Sequence, residues 1–329
     1  MSSLLQRKIQ TLREYAKELG FDLFGITRPN LNELEYQNLK SFIENKHYLN
    51  MTWFEKTKQI RLNPQEILPH SQSVIVLGHI YKNKTYNQIQ NQKVKISRYA
   101  IGKDYHKVLK KKLKKLESKI KELFDDIQTR ITIDSAPVPE KLLAIHAGIG
   151  WQGKNTNIIH PNYGSFFFIS CIFLDKDLTI YEESKEIPDF CLNCKLCILS
   201  CPTQALEPYK LDVSKCISYW NIESREVIPD HIAKKSRGWI FGCDICQEVC
   251  PHNRKKSVET KETNEKDFFL REEVKKIITS IPTKEEWENL KNSPLKRVPY
   301  EIFVANYKKI LDLSDSDDEN LTHPRRSKV

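Results

Sequence analysis

Apolar residues open the chain at three- and four-residue intervals. Leu5, Ile9, Leu12, Ala16 and Leu19 share one face of a helix, and Gly20 stands where a C-cap is expected. The period then changes. Phe21-Asp-Leu-Phe-Gly-Ile-Thr27 alternates like a strand, residues 31–48 return to helical spacing, and Ser73-Val-Ile-Val-Leu-Gly78 is a short apolar strand. Residues 82–93 are rich in Asn, Gln and Lys and predict a surface loop. Leu109, Leu113, Leu116, Ile120 and Leu123 mark a second amphipathic helix, whose other face carries Lys110, Lys111, Lys112, Lys114, Lys115 and Lys119. Ile131-Thr-Ile133 reads as a strand ending at Asp134-Ser-Ala-Pro137. A helix over 139–147, a Gly-rich loop over 148–156 and a buried strand over 165–174 follow, with Cys171 as a core residue of that strand.

Interleaved strands and helices before residue 180 predict an α+β fold with an α/β sandwich-like first domain. Gly148-x-Gly150-x-x-Gly153 has the letters of a dinucleotide fingerprint, but it follows a helix where that fingerprint needs a strand. No flavin or nicotinamide site is expected. The spacing divides the chain into a domain over 1–187, a cysteine-rich insert over 188–252, a short helical C-terminal segment over 253–312 and a disordered tail over 313–329. The C-terminal segment begins with a charged linker over 253–266. Thr283-x-x-Glu286 is a capping box within it, and its last helix runs from about 299 to 311.

Composition narrows the setting. The 329 residues are 39% hydrophobic and 29% charged, with a mean hydropathy of −0.55. No apolar run reaches the length of a membrane span, and the N-terminal stretch lacks an apolar signal core. A soluble, cytoplasmic, monomeric protein is expected. The net charge of +10 suits a polyanionic partner, and it suits a merely Lys-rich surface equally well.

Chemistry enters with the cysteines. Cys191-x-x-Cys194-x-x-Cys197-x-x-x-Cys201-Pro202 has the spacing of a bacterial ferredoxin half-site, and Cys243-x-x-Cys246-x-x-x-Cys250-Pro251 is its partner. The second run is one Cys short, and Cys216 between the runs is the substitute. In such runs the fourth Cys ligates the other cluster. One 4Fe–4S cluster is therefore assigned to Cys191, Cys194, Cys197 and Cys250, and a second to Cys201, Cys216, Cys243 and Cys246. Disulfides need an oxidising compartment. Zinc sites use separated pairs, without a third Cys or Cys-Pro endings. Two clusters in series imply one-electron transfers. The roughly 180 preceding residues imply an acceptor held by the first domain.

Four further stretches carry a family resemblance: Ser97-Arg-Tyr-Ala-x-Gly-x-Asp-Tyr-His106, Asp134-Ser-Ala-Pro137, Gly150-Trp-x-Gly-Lys-Asn-Thr156 and Ile240-Phe-Gly-Cys-Asp-x-Cys-Gln-x-Val-Cys-Pro251. Together they resemble the epoxyqueuosine reductases, cobalamin-dependent iron–sulfur enzymes related to reductive dehalogenases. The resemblance runs from residue 1 to about 310. It implies that the first domain binds cobalamin, that electrons pass to it from the two clusters, and that epoxyqueuosine in a tRNA anticodon loop is reduced to queuosine with loss of water. It also implies an external low-potential electron donor. Asp134 matches the family's proton donor, which must then have a raised pKa. Asn155, Thr156 and Ser165 match positions lining the cobalamin, and Tyr99, Ser218 and Tyr219 are further pocket candidates. Asp104-Tyr-His106 begins like a D-x-H-x-x-G cobalamin motif, but Leu109 replaces the Gly. No His ligand to cobalt is expected, and His106 is expected to be structural or on the surface.

The chain departs from that pattern in three places. Lys141 stands where many relatives have Arg, keeping charge but losing the fork. Trp220-Asn221 replaces a more usual Leu-Thr near the expected pocket. Too little chain follows Pro251 for the helical-repeat module that helps other members hold tRNA, which shifts tRNA binding onto the core's basic surface. Two other readings compete with the enzyme: a ferredoxin-type electron carrier without corrinoid, and a nucleic-acid-binding module with structural clusters.

Overall fold

The structure is a computed structural model that describes residues 2–134, 136–181 and 185–314. Helix α1 (Ser2–Glu18) leads into strand β1 (Leu23–Thr27), then α2 (Glu33–Glu44), β2 (Ser73–Ile80) and a short β3 (Lys95–Ile96). Next come α3 (Tyr105–Leu123), β4 (Thr129–Ile133), α4 (Glu140–His146) and β5 (Phe167–Leu174). The cysteine-rich stretch contributes β6 (Trp239–Phe241), and α5 (Glu272–Thr279), α6 (Lys284–Asn289) and α7 (Tyr300–Ser314) complete the described chain.

Four strands form one antiparallel sheet in the order β1-β2-β5-β4. The register pairs Ile26 with Ile75, Val76 with Cys171, and Ile133 with Ser170. Every residue of β2 is buried, because the sheet is covered on both faces. Ile75 and Leu77 point to one side, where Ile9, Leu12 and Ala16 of α1 and Leu109, Leu113, Leu116 and Ile120 of α3 pack. Val74, Val76 and Cys171 point to the other, against Leu143, Ala144 and Ala147 at α4. The expected sandwich is thus helix–sheet–helix, and the Lys-rich side of α3 faces outward.

A second core lies beside the first. Tyr86, Ile89, Val94 and Ile96 pack with Ile217, Trp239 and Phe241 and with Val274, Trp287, Phe303 and Tyr307 from the C-terminal helices. Residues 82–93 are therefore not a plain surface loop. Tyr86 and Ile89 turn inward from a 3-10 turn, and their polar neighbours hide that signal in the sequence. The parallel pairing of β3 with β6 stitches the first half of the chain to the cysteine-rich stretch. Residues 253–266 also pack rather than link. Asn253, Val258 and Thr263 are buried, and the Thr263 N–H donates to the Lys82 carbonyl at 2.8 Å. The last helix reaches Ser314, and the tail expected to be disordered otherwise lies outside the described residues.

One close approach sets the position of α4. A Cβ on Gly25 would stand 1.9 Å from the Ala147 carbonyl oxygen and 2.9 Å from its carbon, both backbone atoms. Only glycine lets the end of α4 lie this close to β1. Gly25→Ala is expected to push α4 off the sheet and lower the thermal midpoint by several degrees, on the order of 1–3 kcal/mol. Thermal unfolding followed by far-UV circular dichroism checks this; an unchanged midpoint would mean α4 can shift without cost.

Candidate active site

The eight cysteines of the two runs gather in two sets. Cys191, Cys194, Cys197 and Cys250 line one small cavity with Lys154, Asn155, Ile159 and His252. Cys201, Cys216, Cys243 and Cys246 line part of a much larger one. This is the partition expected from the spacing, with Cys201 and Cys250 exchanged between runs. Among the described residues, no three His, Cys, Asp or Glu side chains converge as they would on a single metal ion. The thiols surround space instead, which is what a cluster core requires.

Local structure explains the exchange. Each run makes a tight turn, with Cys194 N–H donating to Cys191 O at 2.8 Å and Cys250 N–H to Gln247 O at 3.1 Å. The Pro after Cys250 starts a short helix, Pro251–Arg254, from its first position. Asp244 accepts from the Arg98 N–H at 2.8 Å, and Arg98 pairs with Glu248 at 3.1 Å while its guanidinium lies 3.9 Å from the Tyr86 ring centroid. Asn221 donates to Trp239 O and Gly242 O and accepts from the Gly242 N–H. These contacts hold the Cys243–Cys246 turn from both sides.

The thiols also suit an iron–sulfur core chemically. Burial pushes Cys216, Cys243 and Cys246 up, and neighbouring thiols push the same way. Four thiolates fit such walls only when a cationic core compensates them. The buried Trp151 Nε1 has no nitrogen or oxygen partner and lies beside Cys191, whose thiol it favours in the charged form. The Ala205 N–H donates to Cys201 Sγ at 3.3 Å. Such N–H···S contacts tune cluster potentials.

The large cavity encloses about 730 Å3, toward the upper end of the roughly 300–1,000 Å3 typical of ligand sites. Besides the four thiols its lining includes Asp134, Tyr105, His106, Lys141, Asn155 and Arg297. Asp134 closes β4 with φ of 41°, the left-handed region that costs a non-glycine residue energy. Its side chain is 55% exposed, and that exposure is to the cavity. The Tyr105 hydroxyl donates to Asp134 Oδ2, and the Tyr105 ring stacks on Phe168 at 4.1 Å. His106 Nδ1 donates to Asp104 Oδ1 at 2.8 Å, and its Nε2 lies 3.5 Å from Asp134 Oδ2. Arg297 forms a forked pair with Glu223, both bonds at 2.7 Å.

Charges in this cavity are strongly coupled. Burial alone would raise the Asp134 carboxyl, but the His106 ring, the Tyr105 hydroxyl and the Arg297 charge outweigh it and hold it below the ordinary value. Burial works against protonated His106, yet Asp104 and Asp134 on its two sides move it up to about 9. Burial and the Asp134 charge raise the nearby Glu140 carboxyl to about 8. At neutral pH the cavity wall therefore holds a proton on His106, while Asp134 is an acceptor; Glu140, outside the lining, also keeps its proton.

Residues 61–135 match the family model described as Epoxyqueuosine reductase QueG, DUF1730, and residues 190–253 match the 4Fe-4S double cluster binding domain. The epoxyqueuosine reductase of Cyclobacterium marinum is 36% identical over 307 residues, covering 92% of this chain and 97% of that protein. The chain belongs to the epoxyqueuosine reductase family. The enzyme from Leadbetterella byssophila is 41% identical over 242 residues, 74% of this chain and 78% of its own. A crystal structure of epoxyqueuosine reductase with an epoxyqueuosine-modified tRNA-Tyr stem loop superposes with a TM-score of 0.79 at 26% identity, covering 95% of this chain and 83% of that one. As a member of this family the chain is an oxidoreductase with a double 4Fe–4S domain.

Within that family frame, some expected cofactor contacts lie in the cavity and others do not. Tyr99, Asn155, Thr156 and Ser218 line it. Asn155 also borders the small cavity and donates to Cys246 O at 3.2 Å, so it stands between the two thiol sets. Ser165 is not in the lining. It is buried, its N–H donates to Asn253 Oδ1 at 2.7 Å and its hydroxyl to Gln247 Oε1 at 2.8 Å, so it anchors the cysteine-rich stretch. Tyr219 is also outside the lining, buried on a π-helical turn with its hydroxyl accepting from the Asn50 N–H at 3.4 Å. Trp220-Asn221 is structural too, since the indole N–H bonds Ser214 O and Asn221 is buried.

His106 corrects the sequence reading, being neither a surface nor a merely structural residue but part of the cavity wall. Its Nδ1 is bonded to Asp104, while its Nε2 lies 3.5 Å from Asp134 Oδ2 without forming a hydrogen bond. Lys141 lines the cavity and donates to Thr156 O at 3.1 Å, which orients the loop beside it. Arg297, Glu223 and Lys296 were not legible in advance. Lys296 and Arg297 are isolated charges far from any motif, brought in by the fold of the C-terminal segment, and Glu223 ends the turn after Cys216 without a signature of its own. His106 was half-visible, sitting at the end of a recognised stretch.

The His106–Asp134 pair predicts a two-sided stability profile. A raised His106 adds stability that is full below its unfolded value near 6.5 and lost as pH climbs through about 9. A lowered Asp134 adds stability that is full above its unfolded value near 4 and lost as pH falls through its folded value. Urea unfolding from pH 4 to 10 is expected to show the alkaline loss in the wild type and not in His106→Gln. Equal alkaline slopes in the two proteins would remove His106 from the pair.

Proposed function

We propose that this protein reduces epoxyqueuosine in a tRNA anticodon loop to queuosine, with cobalamin in the large cavity and a 4Fe–4S cluster in each four-thiol set. The observation that carries the reading is that one cavity joins four cluster-type thiols to an acid–base group centred on Asp134. An electron-transfer protein needs the thiols but not a roomy cavity with a carboxylate held by Tyr105 and His106. Family membership and the relative solved with a modified tRNA stem loop favour the same substrate.

The residues present fit a corrinoid. The lining mixes apolar Phe168, Leu206, Leu211 and Ile217 with polar Ser97, Asn155, Thr156 and Ser218, as a large amphipathic ring requires. Bound there, cobalamin would supply a strongly reducing cobalt centre for opening an epoxide. The chain's own residues handle the rest. Cys201, Cys216, Cys243 and Cys246 hold the cluster that faces the cavity, and Cys191, Cys194, Cys197 and Cys250 hold the one beyond it. Removing the epoxide oxygen as water consumes two electrons and two protons. Asp134, which is ionised at neutral pH, relays a proton from His106, kept charged by Asp104, to the departing oxygen, and solvent recharges His106 for the second proton. Tyr105 fixes the orientation of the carboxylate. The Arg297–Glu223 fork and Lys296 meet the polar substrate. No described helix is long and apolar enough to cross a membrane. An external low-potential donor supplies the electrons.

Anaerobic reconstitution with iron, sulfide and cobalamin, then reduction with epoxyqueuosine-containing tRNA, tests the reading by mass analysis of released nucleosides. Queuosine is expected only with cobalamin present. Asp134→Ala is expected to retain corrinoid and iron while losing about 10²–10⁴-fold in rate. Full iron content with no corrinoid retained and no product would leave the electron-carrier reading in its place.

A further inference from the structure

Five of the eleven large apolar side chains exposed among the described residues belong to one short stretch: Phe190, Leu192, Leu196, Leu199 and Tyr209. Leu192 and Leu199 are the most exposed of the eleven, at 75% and 78%. The stretch is tied into one surface. Tyr209 donates through its hydroxyl to Asp189, its N–H bonds Lys154 O at 3.2 Å, and Lys154 Nζ donates to the carbonyls of Leu192 and Cys194. Phe190 packs edge-on against Trp151, and its carbonyl meets His252 at 3.1 Å. Leu196 and Leu199 share one side of the short Leu196–Ser200 helix.

This apolar surface sits over the small cavity. Phe190 and Leu192 flank Cys191, Leu196 precedes Cys197, and both Trp151 and His252 border that thiol set. Basic residues outnumber acidic ones on the segments that carry this surface: Lys195, Lys210, Arg254, Lys255 and Lys256 are exposed there, against Glu186, Asp189 and Glu207. Nothing in the reduction of a tRNA nucleoside requires leucines in water at this place, and exposed apolar clusters mark interaction sites. A small apolar centre among charged residues is the form of weak, fast redox encounters.

We propose that this face is where the electron donor docks, and that the donor is a small acidic one-electron carrier protein. The inference rests on the reading of the small thiol set as a 4Fe–4S site. Each encounter moves one electron from the reduced carrier to the cluster held by Cys191, Cys194, Cys197 and Cys250, with no bond made or broken. Two encounters supply the two electrons that one reduction consumes. The basic excess attracts the acidic partner, and the leucines exclude water where the redox centres come closest.

The test uses the full chain reconstituted with iron and sulfide, fully reduced acidic flavodoxin as one reductant and dithionite as the other. Stopped-flow bleaching of the cluster absorbance gives the rates, and calorimetric titration with oxidised flavodoxin gives the affinity. Leu199→Glu and Lys210→Glu are each expected to slow flavodoxin-driven bleaching about tenfold and to weaken binding in parallel. Dithionite bleaching should stay at the wild-type rate, and the wild-type flavodoxin rate should fall as salt rises. If Leu199→Glu loses iron, Lys210→Glu decides alone. Unchanged flavodoxin rates at wild-type iron content, or equal slowing by both reductants, overturn the proposal. Queuosine formation driven by dithionite is scored separately, so a failure of docking and a failure of the enzymatic reading give different results.

Discussion

Two cysteines that change partners set the path of the second half of this molecule. Cys201 leaves its own run to join Cys216, Cys243 and Cys246, and Cys250 leaves its run to join Cys191, Cys194 and Cys197. The chain between residues 201 and 250 must therefore make a closed excursion and return beside its starting point. That excursion has to be braced, because eight thiols cannot be held by local turns alone. The brace is β6, which pairs with β3 from the first half, and Arg98, whose N–H and guanidinium grip Asp244 and Glu248. Only glycine fits at position 242, where φ is 67° and a Cβ would lie 2.1 Å from the Ser97 hydroxyl and 2.6 Å from its Cβ. The cavity is a consequence of this closure, since its walls come from both halves of the chain.

Electrons and protons meet in that cavity under a shared electrostatic constraint. Asp134 is an acceptor, balanced by His106 and Arg297. Each negative charge delivered into a low-dielectric site raises the proton affinity of the carboxylates facing it. In the reaction proposed above, reduction therefore moves Asp134 toward the protonated form at the time a departing oxygen needs a proton. His106 is placed to supply it, because Asp104 on its far side keeps a positive ring favourable. A carboxyl that stayed protonated at all times would not need this wiring. On that proposal the pair couples electron arrival to proton availability without a moving part.

The sequence made some of this legible and concealed the rest for physical reasons. Helix and strand periods located α1, α3, β2 and β5 because each buries a regular face. The cysteine spacing anticipated both thiol sets because cluster geometry constrains it so tightly. Residues 82–93 and 253–266 misled because their buried groups are few and scattered among Lys, Asn and Glu: Tyr86, Ile89, Asn253 and Val258 carry no period. Ser165 and Tyr219 were sound as neighbours of the site and wrong as lining. Proximity in sequence to a motif does not say which way a side chain turns, and Asn253 and Asn50 claim these two. Arg297 could not be found at all, since a single arginine near the C-terminus has no local signature.

The two thiol sets differ in what surrounds them, and that difference gives the molecule a direction. Cys201, Cys216, Cys243 and Cys246 open onto the cavity that also holds Asp134. Cys191, Cys194, Cys197 and Cys250 are shut away from it, with Trp151 and Ile159 packed against Cys191 and Cys250, and they lie under an apolar outer face. Asn155 spans the gap, bordering both cavities and bonded to the Cys246 carbonyl. A symmetric pair of sites would serve a carrier that accepts and donates at either end. Here one set lies under an outer surface suited to a protein, and the other faces a roomy cavity suited to a small group. The exchange of Cys201 and Cys250 keeps the two sets close together while leaving their surroundings distinct, so the same constraint that closes the fold also orders the path from surface to site.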